Sequence, residues 1–156
     1  MNKIHMSINL KKLEEQLKSN IESDTILKET IDIINKYNSD DWKEYCCFCN
    51  ESYKRNLVFR NEQFEILILC WEKGQKSEIH NHPKNGCVLK ILSGELLENV
   101  FDIQNDKLSL TKESTLKKDD ISYMEGSNGL HSIEAIHNTV SLHVYSPPNY
   151  SPKFFY

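Results

Sequence analysis

The stretch GCVLKILSGELLENVFDIQNDKLSLTKEST, residues 86–115, contains three consecutive runs that are rich in β-forming residues. Ser93 and Gly94 separate the first run from the second, and Asn105 and Asp106 separate the second from the third. Glycine and small polar residues are typical of tight turns, because they tolerate the backbone angles that a turn between antiparallel strands needs. The stretch therefore predicts three antiparallel strands that follow one another in the chain.

Similar short runs continue on both sides of this stretch. They are YKRNLVFR (53–60), FEILILCW (64–71), SEIHNH (77–82), DISYMEG (120–126), LHSIEAIHN (130–138) and TVSLHVYS (139–146). Many short strands at close and regular spacing favour an antiparallel sandwich or barrel of the jelly-roll type. The predicted fold class is therefore mainly β.

Residues 1–52 have a different pattern, in which apolar residues recur at helical spacing. The segments INLKKLEEQL (8–17) and DTILKETIDIINKY (24–37) predict two helices, the second with Asp24 as its N-cap. SDDWKEYCCFC (39–49) predicts a third short helix with Ser39 as a cap. We expect a single domain with a helical N-terminal part at 1–52, a β-barrel at 53–148 and a short tail at 149–156.

Composition excludes several classes of protein. The chain has 156 residues and a net charge of −4, which does not favour binding to nucleic acid or to an anionic membrane. No apolar run approaches the roughly 18 residues needed to span a bilayer, and the start MNKIHMSINLKK lacks the apolar stretch of a signal peptide. These features predict a cytoplasmic protein, and we expect it to be a monomer. Its five cysteines lack the spacing of a disulfide framework, so we expect them to be reduced.

Two histidines, His80 and His82, stand one residue apart in SEIHNHPKNGC (77–87). In a regular strand, residues i and i+2 point to the same face, so two imidazoles would converge on one point, as at a divalent-metal site. A solvated strand face could also carry such a pair by chance. His131, which opens a later strand after a glycine turn, is the third candidate ligand, whereas His137 lies too far along that strand and is interpreted as a surface residue.

The segment SLHVY places Ser141, His143 and Tyr145 in alternation with two apolar residues. Two interpretations are open. The polar side chains could face water on a half-buried strand. Alternatively, they could form a hydrogen-bonded chain inside a cavity, in which the histidine orients the tyrosine hydroxyl.

Five segments taken together resemble the cysteine dioxygenase family of small cupin enzymes. They are YKRNLV (53–58), ILCW (68–71), IHNHPKNGCVLKILSGELLE (79–98), GLHSIEAIH (129–137) and VSLHVYSPP (140–148). The resemblance runs from about Trp42 to Pro148 and implies a cupin-type jelly-roll barrel. It also implies one non-haem Fe(2+) per chain, held by His80, His82 and His131.

The resemblance also implies the remaining roles in the site. The substrates would be free L-cysteine and O2, with the carboxylate of cysteine held by Arg55 and the pocket lined by Tyr53. Tyr145 would be the active-site tyrosine, supported by His143 and Ser141. Cys87, rather than Gly86, stands where many members carry a cysteine that forms a thioether with this tyrosine, giving a protein-derived cofactor.

The implied reaction takes the thiol of cysteine to cysteinesulfinic acid. One alternative is a dioxygenase for another small thiol such as 3-mercaptopropionate, although its enzymes tend to place glutamine where Arg55 stands. Another is a non-catalytic metal-binding cupin, which would not need Arg55 or the chain of Ser141, His143 and Tyr145. The chain also departs from longer members, because Asn149, Tyr150 and Ser151 follow the SPP element and the sequence ends soon after.

The remaining cysteines and aromatic residues have simpler interpretations. Cys46, Cys47 and Cys49 lack the spacing of a zinc site and are predicted to be helix residues, some of them buried. Cys70 is expected in the core. Four residues of the strand region, Trp71, Phe101, Tyr123 and Met124, are also predicted to be core residues rather than cofactor contacts.

Overall fold

A computed structural model describes residues 7–156 of the chain, so His5, which is predicted from the sequence to be an exposed residue of a terminal segment, lies outside the described residues. The helices are α1 (Leu10–Asn20) and α2 (Ile31–Asn35), with 3₁₀ turns at Leu27–Thr30 and Asp41–Tyr45. None of the helices described is long and apolar enough to cross a membrane. Ten strands follow: β1 (Lys54–Arg60), β2 (Glu65–Trp71), β3 (Ile79–His80), β4 (Cys87–Ser93), β5 (Glu95–Gln104), β6 (Lys107–Lys117), β7 (Ile121–Met124), β8 (Leu130–Ala135), β9 (Thr139–Tyr145) and β10 (Phe154–Phe155).

The first helix forms where the sequence predicts it. The Asn9 side chain caps α1 by accepting a hydrogen bond from the backbone N–H of Lys12 at 2.9 Å. Leu10, Leu13 and Leu17 recur at helical spacing and are all buried. The apolar stripe of α1 therefore packs on the rest of the protein.

The prediction of the second helix is wrong in two respects: the helix does not begin at Asp24, and it is not continuous. Asp24 does not cap it, because the backbone N–H at the start of the first 3₁₀ turn, on Leu27, donates to the carbonyl of Asn85 at 2.8 Å. The segment then breaks at Thr30, whose hydroxyl donates back to the carbonyl of Leu27 at 2.7 Å. A side chain that bonds its own backbone competes with regular helix, so only the short α2 follows.

The strands form two five-stranded sheets. The first sheet has the order β1-β2-β9-β4-β7 and the second has the order β10-β3-β8-β5-β6, and the pairs within them are antiparallel. The order is not sequential, because the chain crosses between the sheets, as in a jelly roll. The predicted mainly β fold is confirmed; β10, which pairs with β3, is the strand that sequence reasoning missed.

The three central strands of the first sheet are buried on both faces, and this determines which side chains can form a site. One face packs against the helical part through alternate residues of the three central strands, which are Ile66, Ile68, Cys70, Val88, Val140, Leu142 and Val144. The opposite face looks towards the second sheet and contributes Leu67, Leu69, Trp71, Leu89 and Ile91 to a separate apolar cluster. Because side chains alternate along a strand, each strand supplies apolar residues to the helices and a second set to the barrel interior.

A buried lysine joins the helical part to the first sheet. Lys90 on β4 is 2% exposed, and its Nζ donates to the carbonyls of Asn35 and Tyr37 at 2.9 and 2.7 Å. These carbonyls lie at and just after the end of α2, where backbone oxygens lack helical partners. Burial lowers the pKa of Lys90, and two short hydrogen bonds satisfy the ammonium group in return.

Candidate metal centre

A cavity of about 170 Å³ lies between the two sheets. It brings together eight of the nine site residues predicted from the sequence: Tyr53, Arg55, His80, His82, Cys87, His131, His143 and Tyr145. The ninth, Ser141, is fully buried behind His143. Residues that lie 92 positions apart in the chain therefore line one cavity.

Three histidines form the centre of this cavity. His80 ends β3 and pairs in register with His131 on β8, and His82 follows two residues after His80. One ring nitrogen from each of the three lies within 4.8 Å of the others, and the Nε2 atoms of His82 and His131 are 3.0 Å apart. The convergence comes from strand pairing and the turn after β3, because β3 ends at His80 and does not continue as a regular strand.

The hydrogen bonds of these rings show which nitrogens face each other. The Nδ1 atoms of His80 and His82 lie 2.7 and 2.6 Å from the backbone carbonyls of Glu78 and Gly129. The Nδ1 of His131 lies 2.8 Å from a carboxylate oxygen of Glu98. An oxygen acceptor at Nδ1 places the proton there and leaves Nε2 as a lone pair.

The resulting donor set fits a divalent transition metal. Two bare Nε2 lone pairs at 3.0 Å repel each other unless a cation lies between them. Burial, followed by the neighbouring histidines, lowers the pKa of His80 to about 4 and that of His82 to about 2, so both rings are neutral at physiological pH. Neutral imidazole is the form that binds zinc, copper, iron and nickel.

Glu98 is a buried carboxylate that sequence reasoning did not select. It lies on β5, is 6% exposed, and accepts hydrogen bonds from His131 Nδ1 and from the hydroxyl of Ser122. Burial alone would raise the pKa of Glu98, but its contact with His131, the hydrogen bond from Ser122 and the charge of Lys112 together outweigh burial and lower the pKa. The only feature of the sequence that could have pointed to Glu98 is its charge at a strand position whose side chain faces inwards.

A hydrogen-bonded chain runs along the inner side of β9. The Oγ of Ser141 lies 2.8 Å from His143 Nε2, and His143 Nδ1 lies 3.0 Å from the hydroxyl of Tyr145. Leu142 and Val144, which alternate with these residues, face the helical part instead. Of the two interpretations of SLHVY, the cavity-facing one is therefore confirmed, because the helices cover the apolar side.

Trp71 extends this chain and lines the cavity. Its indole Nε1–H donates to Ser141 Oγ at 3.0 Å, and its ring stacks on Tyr53 with the ring centroids 4.2 Å apart. Trp71 is a core residue, as predicted, since its side chain is 1% exposed and belongs to a buried apolar cluster, and it also lines the cavity. The ILCW pattern identifies a buried strand but cannot show that its last residue borders a site.

Arg55 lies on β1 at the side of the cavity. Its guanidinium carbon is 5.4 Å from the centre of the Tyr145 ring. The ion pairs formed within residues 7–156 do not include Arg55, whereas Arg60 on the same strand pairs with Glu65 at 2.7 Å. Arg55 thus presents a positive charge to the cavity without an acidic side chain to neutralise it.

Cys87 faces Tyr145 across neighbouring strands. The two residues are paired in register between β4 and β9, and both line the cavity. Burial raises the pKa of Cys87 to about 12, and burial together with the Cys87 thiol raises that of Tyr145 well above its usual range. The preceding Gly86 has a φ of +107°, which favours glycine, and a Cβ there would lie 2.6 Å from the hydroxyl of Tyr123 and would force that ring to move.

The segment after Pro148 forms part of the cavity wall. The side-chain oxygen of Asn81, which stands between His80 and His82, accepts hydrogen bonds at 2.8 Å from the Tyr150 hydroxyl and from the backbone N–H of Lys153. Tyr150 lines the cavity together with Pro152 and Phe154. The short tail therefore covers one side of the site. The sequence comparison with longer family members did not predict this contact.

The other sequence predictions have mixed outcomes. The three cysteines at 46–49 follow the second 3₁₀ turn and are not helical, so that prediction is wrong; Cys47 is exposed and the other two are half-buried. Cys70 is fully buried, as predicted, with its sulfur 3.7 Å from that of Cys46. His137 is exposed at the surface, as predicted, and lies 3.5 Å from the carboxylate of Glu95.

Solved structures with the same architecture define the class of this protein. A cupin superfamily protein from Desulfitobacterium hafniense matches with a TM-score of 0.54 and 13% identity, covering 65% of this chain and 83% of that one. An uncharacterised protein with a double-stranded β-helix domain from Klebsiella pneumoniae matches with a TM-score of 0.57 and 20% identity, covering 72% and 86%. At such identities the likeness establishes the fold, and the fold is that of the cupins.

Sequence relatives narrow the class to one family. The chain matches the cysteine dioxygenase type I family over residues 3–155. It is 37% identical to cysteine dioxygenase type 1 of Danio rerio, covering 94% of this chain and 78% of that protein. It is 39% identical to the Homo sapiens protein of the same name, covering 78% and 66% respectively. The chain belongs to the cysteine dioxygenase type I family, which confirms the resemblance inferred from its motifs.

Proposed function

We propose that this chain is an iron-dependent dioxygenase that converts free L-cysteine to cysteinesulfinic acid with O2. Both oxygen atoms are transferred to the sulfur, so the thiol reaches the sulfinic acid level without an external reductant. The observation that carries the proposal is the convergence of the three imidazoles of His80, His82 and His131 with Arg55 and Tyr145 in a single cavity.

One Fe(2+) per chain is held by His80, His82 and His131. When bound, ferrous iron supplies the one-electron chemistry that lets ground-state dioxygen react with a thiolate. Because the three ligands are neutral, the cavity keeps the positive charge of the metal, which attracts the anionic sulfur of the substrate. The protein contributes binding, orientation and the exclusion of bulk water.

Arg55 binds the carboxylate of cysteine. A planar guanidinium forms two parallel hydrogen bonds with a carboxylate, and the group is free of acidic partners in residues 7–156. Tyr53 stacks on Trp71 at this side of the cavity and forms the adjoining wall. A cavity of about 170 Å³ limits the substrate to a small molecule.

Trp71 determines the direction of the hydrogen bonds that reach Tyr145. Because an indole N–H can only donate, Ser141 Oγ accepts from Trp71 and donates its own proton to His143 Nε2. His143 then carries its proton on Nδ1 and donates it to the Tyr145 hydroxyl. Burial lowers the pKa of His143 well below its usual range, which keeps this neutral form. The Tyr145 oxygen is then an acceptor in this chain, and its own proton is not used by His143.

A thioether between Cys87 and Tyr145 is the proposed protein-derived cofactor. The register pairing of the two residues places the thiol beside the phenol ring. Forming the bond removes one hydrogen from the sulfur and one from the ring, and the two electrons and two protons pass to dioxygen. The bond would hold the ring in one orientation next to the substrate.

Free cysteine is favoured over the alternative functions. The relatives are named cysteine dioxygenases, and Arg55 is present where enzymes for 3-mercaptopropionate tend to have glutamine. A non-catalytic cupin would not need the directional chain from Trp71 to Tyr145. We infer that the protein acts as a cytoplasmic monomer without nucleic acid or membrane partners, consistent with its net charge of −4.

The test is oxygen consumption by protein loaded with Fe(2+) under nitrogen and then given L-cysteine and air. We expect one O2 consumed for each cysteinesulfinate formed, and slower turnover with 3-mercaptopropionate. A His82→Ala variant, which removes one ligand, is the control and should lose both iron and activity. Iron-loaded wild-type protein that consumes no oxygen with cysteine would contradict the proposal.

A further inference from the structure

The three histidines differ in what their second ring nitrogen contacts. His80 and His82 donate from Nδ1 to backbone carbonyls, which are neutral acceptors. His131 donates from Nδ1 to Glu98 at 2.8 Å, and Glu98 is a carboxylate. One of the three rings therefore has an anionic partner, and the other two do not.

The carboxylate of Glu98 is itself held in place. The Ser122 hydroxyl lies 2.9 Å from one carboxylate oxygen and 2.7 Å from the other. Glu98 comes from β5 of the second sheet and Ser122 from β7 of the first, so the contact joins the two sheets beside the metal centre. The side chains of Glu98 and His131 are 7% and 5% exposed, which keeps water from competing for these hydrogen bonds.

We propose that Glu98 is a positioning residue that makes His131 the most strongly donating of the three metal ligands. A carboxylate at Nδ1 fixes the tautomer and the ring plane, and it raises the basicity of the opposite nitrogen more than a carbonyl does. The inference rests on the proposed function, since it needs the three histidines to hold a metal. It goes beyond that function, because it places a negative charge next to a ligand set that is otherwise neutral.

The proposed role of Glu98 differs from a purely structural one in what it predicts for the bound metal. A side chain that only joins two sheets would change the stability of the fold and leave the metal's electronic environment unchanged. A side chain that polarises His131 changes both metal affinity and the metal's ligand field. The spectrum of a bound Co(2+) ion reports the second effect without any turnover.

The experiment compares wild type, Glu98→Gln and Glu134→Gln. Glutamine keeps the size of Glu98 and removes its charge, and Glu134 is an exposed glutamate on β8, three residues after His131, so it serves as the matched control. Co(2+) binding to metal-free protein is measured by calorimetry, and visible absorption of the complex is recorded. We expect Glu98→Gln to weaken Co(2+) binding by about 10- to 100-fold and to shift the absorption bands, while Glu134→Gln matches wild type.

Two outcomes overturn the inference while leaving the proposed function intact. The first is a folded Glu98→Gln variant with the wild-type Co(2+) affinity and spectrum; the second is an equal effect from Glu134→Gln. If Glu98→Gln does not fold, Glu98→Asp, which shortens the side chain that reaches His131 Nδ1, takes its place, and an unchanged affinity and spectrum in that variant overturn the inference as well. Wild-type protein that binds no Co(2+) refutes the metal site, and the proposed function fails with it.

Discussion

Replacing Arg55 with glutamine removes the positive charge at the side of the cavity while leaving a polar side chain of similar reach. Arg55 has no acidic partner among residues 7–156, and its guanidinium carbon lies 5.4 Å from the centre of the Tyr145 ring. The change should therefore leave no carboxylate of the protein unpaired. Its effect on activity should come from the lost contact with the carboxylate of the substrate.

The expected size of the effect follows from the strength of that contact. A hydrogen bond to a charged group contributes about 1.5–3 kcal/mol net, which corresponds to roughly a 10- to 150-fold change in kcat/KM. The side chain of Arg55 is exposed by more than a third in the free protein, so solvent screening places the effect in the lower part of this range. We expect kcat/KM for L-cysteine to fall by roughly 10- to 30-fold.

The assay compares two substrates on three proteins. Cysteamine has the thiol and the amine of cysteine but no carboxylate, so its kcat/KM should change by less than about twofold in Arg55→Gln. Lys54→Gln, which removes an exposed charge from the neighbouring position of β1, controls for the general loss of positive charge. Iron content is measured for each protein, so that loss of the metal is not mistaken for loss of substrate binding.

Two results would refute this reasoning about Arg55. One is an equal fall in kcat/KM for cysteine and cysteamine at unchanged iron content, which would mean that the arginine supports the site and does not bind the carboxylate. The other is an unchanged kcat/KM for cysteine, which would place the carboxylate elsewhere. Arg55→Lys should be intermediate, because it keeps the charge and loses the bidentate geometry.

Three further predictions concern stability, measured as the free energy of unfolding in urea. Gly86→Ala should lower the free energy of unfolding by about 1–3 kcal/mol, and by more than Gly74→Ala does. Both glycines have a positive φ, but only a Cβ at Gly86 collides with Tyr123. Equal losses in the two variants would show that the collision is relieved. Lys90→Met should lower the free energy of unfolding by about 2–3 kcal/mol, because two carbonyls near the end of α2 lose a charged donor. An unchanged free energy of unfolding would mean that the cost of burying the ammonium group cancels the gain from these hydrogen bonds. Burial raises the pKa of Cys70 from 9.0 to about 12, so the thiol stays protonated in the folded protein and the free energy of unfolding falls as the pH rises from 9 towards 12. Between pH 8 and pH 11 the wild type should therefore lose about 2–3 kcal/mol more stability than Cys70→Ala. The same pH dependence in both proteins would contradict this prediction.

The strands of the barrel could be predicted because their signal is local. Alternation of side chains and turn residues are properties of five to ten consecutive residues, and nine of the ten strands follow from them. β10 was missed, because Phe154–Phe155 is too short to carry a pattern and forms by pairing with β3. The start of the second helical segment was missed for a related reason: its first N–H is satisfied by Asn85, more than 50 residues away.

The candidate site could be predicted where a motif marks a residue, and could not where only tertiary contacts do. His80, His82 and His131 stand in recognisable segments and meet in the structure. Glu98 lies in a strand with no motif of its own, and its role depends on a ring that approaches from β8. Tyr150 borders the site only because the tail bonds to Asn81, and nothing near Tyr150 in the sequence indicates that contact.

The helical N-terminal part explains how the barrel can hold polar groups on an inward face. An isolated sandwich with one apolar face per sheet would turn Leu142 and Val144 inwards and leave Ser141, His143 and Tyr145 in water. Here α1 and the residues that follow it cover the apolar face of the first sheet from outside, so the polar residues of β9 are left facing the cavity. Each of them must then find a partner, because an unpaired buried polar group is costly, and the chain from Trp71 to Tyr145 satisfies that need. Loosening the contact between helices and sheet should therefore affect the orientation of Tyr145, although none of the helical residues between positions 7 and 156 lines the cavity.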